Sequence, residues 1–182
     1  GFAAFELAKK AIPQLRMLCL SEPDPPPGIP EGVEFVCRPN QEQIREVYAA
    51  CDAWLFCSRS EGFGLPILEA MACRTPVIGT PAGAAPDLIP HGGGVLVPYD
   101  DPVAMSDAIK QLLGLTEDDW IRRSDAAVAA ATSYSWEDAA TLMERVYDRI
   151  GVDAPAGARV FNAAALGETK VAPFADDLAA QF

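Results

Sequence analysis

Five short, largely apolar runs, set among stretches that read as helices, constrain this chain more than any other feature. They are Leu15–Leu20, Val33–Cys37, Ala53–Cys57, Val77–Gly79 and Val95–Val97. Runs of this length and composition read as buried parallel strands. The stretches between and after them carry helix signals. Phe2 to Ile12 has Phe2, Phe5 and Ile12 on one apolar side, and Pro13 ends it. Asn40 is placed to cap a helix over Gln41 to Cys51, with Gln43 in its first turn. Leu65 to about Cys73 is apolar almost all round and reads as a core helix. A short helix is expected near Pro86, and Asp101-Pro102 opens another that runs to about Leu113. Glu117–Thr132 and Trp136–Ile150 read as amphipathic helices on the outside. Glu22 to Pro30 is rich in proline and reads as a stiff surface loop. Strands joined through helices imply right-handed crossovers, and so an α/β fold: a Rossmann-like, doubly wound parallel sheet with helices on both faces.

The chemistry concentrates in Ser58-Arg59-Ser60-Glu61-Gly62-Phe63-Gly64-Leu65-Pro66-Ile67-Leu68-Glu69. This segment carries the chain from a predicted strand into a predicted helix, at the carboxyl end of the strand, where such sheets bind ligands. Gly62 and Gly64 allow positive φ or close approach of a ligand to the backbone. Pro66 suits a first helical turn. The N–H groups that open a helix attract phosphate. Glu69 is the one charge on an otherwise apolar helix, and an unpaired buried carboxylate is costly. It needs hydrogen-bond partners, from either a structural pair with a basic side chain or cap, or the hydroxyls of a ligand.

Glu61 and Glu69 form a Glu-x7-Glu pattern around Gly-Phe-Gly. With Ala70-Met71-Ala72-Cys73-Arg74-Thr75-Pro76-Val77-Ile78, Gly83-Ala84-Ala85-Pro86-Asp87-Leu88-Ile89, Gly94-Val95-Leu96-Val97 and Ser135-Trp136-Glu137 through Tyr147, this order resembles the C-terminal, donor-binding domain of retaining GT-B glycosyltransferases of family 4, or group 1. The resemblance covers about residues 1–150 and implies a nucleotide-sugar-binding domain there. Residues 151–182 are an Ala-rich extension, with Ala158–Phe161 as a weak strand candidate. Where the family has Gly-Gly-x-Pro-Glu, this chain has Gly83-Ala84-Ala85-Pro86-Asp87. The resemblance further implies that the diphosphate-binding Arg and Lys, the first strand and the acceptor-binding domain lie upstream of Gly1. A parallel sheet without that strand is expected to carry a gap in mid-sheet, with unpaired backbone on either side.

The roles the resemblance implies are specific. Glu61 is the catalytic carboxylate, facing the donor sugar and steadying positive character at the anomeric carbon. Gly62, Phe63, Gly64 and Leu65 bind the donor sugar and phosphates, and Glu69 holds the ribose hydroxyls. Phe63 either shapes the sugar pocket or places its ring in the core. Cys37, Arg38 and Pro39 flank the base, or Arg38 is a surface charge. Transfer with retention is implied, without a metal and without a cofactor beyond a UDP-, GDP- or ADP-sugar as substrate; the chain has no Asp-x-Asp motif. The acceptor is a saccharide or a lipid-linked one, met through the upstream domain. A glycogen- or sucrose-type synthase is a second reading, disfavoured by the compact chain. A non-catalytic GT-B-like nucleotide-sugar-binding or interaction module is a third.

Composition bounds the remainder. The chain has 182 residues, 50% of them hydrophobic, enough for one core. A net charge of −12 argues against nucleic acid as a partner. No apolar run is long enough to span a membrane; peripheral association is not readable from the sequence. Five cysteines without a Cys-x-x-Cys motif read as reduced, mostly buried thiols of a cytoplasmic protein. His91 is the single histidine, expected in a loop beside Gly92-Gly93-Gly94 without a metal role.

Overall fold

The structure, a computed structural model, describes residues 1–21, 25 and 27–150. The elements run α1 (Phe2–Ala11), β1 (Met17–Ser21), β2 (Val33–Cys37), α2 (Gln41–Ala49), β3 (Trp54–Phe56) and α3 (Leu65–Ala72). They continue with β4 (Val77–Gly79), α4 (Ala85–His91), β5 (Val95–Leu96), α5 (Pro102–Leu113), α6 (Glu117–Thr132) and α7 (Trp136–Ile150). Much of the proline-rich loop (Glu22, Pro23, Asp24 and Pro26) and the whole extension, with its strand candidate at Ala158–Phe161, lie outside the described residues.

Local chemistry sets the helix starts. The Asn40 side chain accepts from the Gln43 N–H at 2.9 Å while the Gln43 side chain accepts from the Asn40 N–H at 3.0 Å, a complete capping box for α2. Asp101 accepts from the Ala104 N–H at 2.8 Å and starts α5. Thr116 accepts from the Asp119 N–H at 3.2 Å, and Glu117, Asp118 and Asp119 place negative charge at the positive end of α6. Some bounds differ from expectation. β1 begins at Met17 because the Leu15 N–H still donates to the Ile12 carbonyl, 2.9 Å away, in the turn that closes α1. His91 is the last residue of α4 rather than part of the following loop.

The strands are parallel throughout, in two sheets: β1-β2, and β3-β4-β5. Side chains alternate across the larger sheet with the period of two that strands impose. Trp54, Phe56, Val77 and Leu96 face the cluster that holds Tyr48 of α2, Ile67, Leu68 and Met71 of α3, Leu88 and Ile89 of α4, and Ala127 and Ala131 of α6. Leu55, Ile78, Val95 and Val97 face Ala4 and Ala8 of α1 and Met105, Ala108, Ile109 and Leu112 of α5. Helices therefore cover both faces, as a doubly wound sheet requires.

Among the described residues the strands do not form a single hydrogen-bonded sheet. β1 and β3 instead border a cavity of about 1130 Å³, lined by Met17–Leu20 from β1, Ala53–Leu55 from the β3 side, and Phe2 and Phe5 of α1. This cavity separates the two sheets formed by the described residues. α6 is amphipathic as expected, with Ser124, Ala127 and Ala131 buried. On α7 the apolar side chains Trp136, Leu142, Met143, Val146 and Tyr147 are exposed, and nothing among the described residues covers them.

Candidate functional site

β3 ends at Phe56, and a loop over residues 57–64 leads into α3. Gly64 forms the N-cap of α3 at φ 100°, with Pro66 in the first turn and no side-chain cap. A Cβ on Gly64 would lie 3.2 Å from the Phe56 ring and 3.3 Å from Ile67 Cδ1. The positive φ favours glycine here, and a Cβ would also press on both of these side chains. Gly62 differs. It is exposed, does not take positive φ, and a Cβ there would meet nothing within 4 Å. Folding does not require glycine at 62, so its small size matters only to something that approaches from outside. Phe63 is 41% exposed and belongs to neither core cluster, against the reading of its ring as core. Leu65 is likewise 40% exposed at the helix start.

The neighbouring loop locks this turn. The Phe63 carbonyl accepts from the Ala84 N–H at 2.8 Å. A Cβ on Gly83, which sits at φ 57°, would come within 2.4 Å of that carbonyl oxygen. So the Gly83-Ala84 pair places its glycine where the close approach occurs, and the Cβ of Ala84 is accommodated against the core. Thr80 ties the two loops from below. Its N–H donates to the Phe56 carbonyl at 3.0 Å and its hydroxyl to the Ser58 carbonyl. A third loop joins through the Tyr99 hydroxyl, which donates to the Pro81 carbonyl at 2.6 Å, and through Arg59, whose guanidinium donates to Asp100 at 2.6 Å. Arg59 is solvent-exposed, and it links the loop after β3 to the loop after β5.

The two carboxylates have different surroundings. Glu61 lies in the exposed loop and accepts from the Ser58 hydroxyl at 2.6 Å. Glu69 is half-buried in the middle of α3 and accepts from the Tyr48 hydroxyl at 3.0 Å. Burial pushes the Glu69 carboxyl above its ordinary value, and the Tyr48 hydrogen bond pulls it partly back. Tyr48 itself is raised, chiefly by burial and then by the Glu69 charge. The partner that the lone helix carboxylate needed is therefore a tyrosine hydroxyl from α2, not a basic side chain. Sequence reasoning passed over Tyr48. Its only signal was the demand of Glu69 for a donor, together with an aromatic hydroxyl at the end of the preceding helix.

Cys37, Arg38 and Pro39 sit at the carboxyl end of β2, in the smaller sheet, whereas Glu61 and Glu69 follow β3 in the larger one. Arg38 is exposed, takes φ 50°, and its N–H donates to the Ser21 carbonyl at 2.7 Å. The cysteines are all free, but the expectation of mostly buried thiols fails. Cys37 and Cys57 are exposed at strand ends, and Cys19, Cys51 and Cys73 are half-buried. Cys19 is only half-covered because β1 faces the cavity, and Cys57 because it stands just past the end of β3. That cavity reaches Gly1 and Cys57 but neither Glu61 nor Glu69. Among the described residues, no helix is long and apolar enough to cross a membrane.

Residues 5–114 match the family described as "Glycosyl transferases group 1". A D-inositol 3-phosphate glycosyltransferase from Corynebacterium urealyticum is 36% identical over 133 residues, covering 72% of this chain and 31% of that protein. The chain thus spans about a third of the length of this curated relative. Among solved structures, the C-terminal domain of the glycosyl transferase group 1 family protein LpcC from Francisella tularensis aligns with a TM-score of 0.63 at 25% identity. That alignment covers 72% of this chain and 75% of that one. HepE from Anabaena, solved in complex with UDP-glucose, aligns with a TM-score of 0.58 at 23% identity, over 72% of this chain and 41% of that one, and speaks to the fold. With a family match over more than half its length and a curated relative at 36% identity over 72% of it, the chain belongs to the group 1 glycosyltransferases.

Proposed function

We propose that this chain is the donor-binding part of a longer, retaining glycosyltransferase that moves a glycosyl group from a nucleoside diphosphate sugar to a saccharide or lipid-linked acceptor. The observation that supports this most is the placing of the two carboxylates. One lies before and one after the glycine-capped start of α3, with three loops hydrogen-bonded together around that start. The leaving nucleoside diphosphate gains negative charge as the glycosidic bond breaks, and fixed dipoles aimed at that charge supply the largest catalytic contribution. The N–H groups of Gly64 and Leu65 stand at the positive end of α3 and serve that charge. Basic side chains of the remaining protein complete the neutralisation, without a metal. Glu61, exposed and steadied by Ser58, accepts from the sugar hydroxyls and stabilises positive character at the anomeric carbon. Phe63, exposed beside it, walls the sugar site together with Gly62. Glu69 accepts from the ribose diol. Cys37, Arg38 and Pro39 flank the base. The reaction belongs in the cytoplasm, in glycoconjugate or polysaccharide assembly.

The test is donor binding and slow donor hydrolysis by the full-length protein, with UDP-, GDP- and ADP-sugars and no added metal. Glu69→Ala is expected to weaken nucleotide binding by roughly 10- to 100-fold, the scale of a lost charged hydrogen bond. Glu61→Ala is expected to lower turnover of bound donor by 100-fold or more, on the order expected for loss of a group acting on the transition state. Tight nucleotide binding with no sugar released, even with acceptors, would reassign the protein as a nucleotide-sugar-binding module. Equal loss of binding in both variants with turnover intact would overturn the division of roles.

A further inference from the structure

We propose that Tyr48 is a positioning residue that orients Glu69 toward the ribose diol of a nucleoside diphosphate. This rests on the reading of Glu69 as the ribose-binding carboxylate.

Tyr48 is 2% exposed, so its hydroxyl does not serve solvent. It donates to Oε2 of Glu69 at 3.0 Å, across the packing of α2 against α3. The residue is held at its ring and at its backbone. Trp54 of β3 meets it edge-on, with centroids 4.7 Å apart and planes at 69°. The buried Thr75 hydroxyl donates to the Tyr48 carbonyl at 2.7 Å and fixes the backbone at the end of α2. A flexible carboxylate would sample several rotamers and lose entropy on meeting a ligand. With Oε2 engaged by a rigid donor, Oε1 and the second lone pair of Oε2 remain to accept from two ribose hydroxyls. Burial favours the neutral form of this half-buried carboxyl, and the same bond acts against it by favouring the charged form. A neutral carboxyl would offer the diol one acceptor fewer.

Few other groups bear on Glu69. The Cys73 thiol stands at the end of its own helix, pushed up to about 11 by burial first, with Arg45 of α2 acting against the rise and Glu69 adding to it. α2, α4, α6, β3 and β4 pack against α3, and of their side chains only Tyr48 of α2 shifts the Glu69 carboxyl.

The experiment measures binding of UDP, GDP or ADP, whichever the full-length protein takes, against its 2′,3′-dideoxy counterpart, from pH 4.5 to 8. The two ligands share phosphates and base, so their ratio reports the diol alone. Tyr48→Phe keeps the ring and its contact with Trp54. It is expected to reduce the preference for ribose over dideoxyribose by roughly tenfold, since one charged hydrogen bond is lost. It is also expected to move the acid limb of that preference to higher pH, because Glu69 then protonates sooner. A structural role would lower affinity for both ligands equally at every pH, and that result overturns the proposal. 3-Fluorotyrosine at position 48, a stronger donor of the same shape, is expected to move the acid limb the other way; an unmoved limb overturns the proposal even where Tyr48→Phe does not fold. Glu69→Gln separates the two layers. If it leaves the ribose preference intact, the ribose reading fails and this proposal with it. If it abolishes the preference while Tyr48→Phe leaves it unchanged, only the role of Tyr48 fails.

Discussion

β4 is buried at all three of its residues, whereas no residue of β1 or β2 is fully buried. The difference follows from what borders each strand. β4 has β3 and β5 on its two edges and helices on both faces. β1 has β2 on one edge and an open cavity on the other. The two carboxylates and the loops that brace them grow from the closed half: Glu61 and Gly64 after β3, Thr80 and Gly83 after β4, Asp100 after β5, whereas Cys37, Arg38 and Pro39 lie at the end of β2 in the open one. A carboxylate constellation holds its geometry only when its supports are fixed by packing and hydrogen bonds. The closed sheet supplies that support, and the open one does not.

The sharpest way to break this comparison is to cut equal apolar volume from each half. Val77→Ala removes a fully buried side chain of β4 from the cluster that holds α3, and is expected to cost about 2–3 kcal/mol. Val36→Ala in β2 removes a half-buried one and is expected to cost less than half as much. Urea unfolding midpoints at constant m-value measure both. Equal costs would mean that the two sheets are equally consolidated.

The same contrast explains what was legible in the sequence. β2, β4, α5 and α6 fall within their expected bounds because each has a local signal: turn residues on both sides, a proline at N1, or an Asp or Thr cap. Gly64 and Pro66 sit where the turn chemistry put them, and Glu69 is the half-buried carboxylate that an apolar helix implied. What failed depended on neighbours distant in sequence. Cys37 and Cys57 read as buried because strand propensity says nothing about strand ends, or about a cavity beside the strand. Tyr48 was missed because its pairing with Glu69 crosses 21 residues and two helices. The tie between Arg59 and Asp100 spans 41 residues and has no local signature.

Next come the glycines of the site. Gly83→Ala puts a Cβ 2.4 Å from the Phe63 carbonyl oxygen at φ 57°. Left-handed strain and forced packing together are expected to cost roughly 2–4 kcal/mol. Gly62→Ala, with open space and no positive φ, is expected to stay within about 0.5 kcal/mol. If Gly62→Ala nonetheless weakens donor binding, the glycine is retained for the ligand's approach rather than for the fold. Thermal unfolding and donor binding on the same two variants decide this. A stable Gly83→Ala protein would show that the loop after β4 does not clamp the turn.

The smallest expected effect has the opposite sign, and it turns on pH. Burial raises the folded pKa of Glu69 above its unfolded value. The folded state therefore takes up the proton more readily, and the stability linked to that proton is full below the ordinary carboxylate range. It is lost as pH rises through the raised folded value, so at neutral pH the protein carries a half-buried charge at a net cost. Glu69→Gln removes the charge and still offers Tyr48 an acceptor. Its Tm is expected to match the parent at acid pH and to exceed it at pH 7, while nucleotide binding falls. Glu61→Gln, in the exposed loop, is expected to change stability by no more than about 0.5 kcal/mol at either pH. A residue whose loss stabilises the fold and removes binding is one the fold tolerates for the sake of a ligand. If Glu69→Gln instead destabilises at pH 7, the hydrogen bond to Tyr48 is a structural pair, and the closed half of the molecule holds that carboxylate for its own stability.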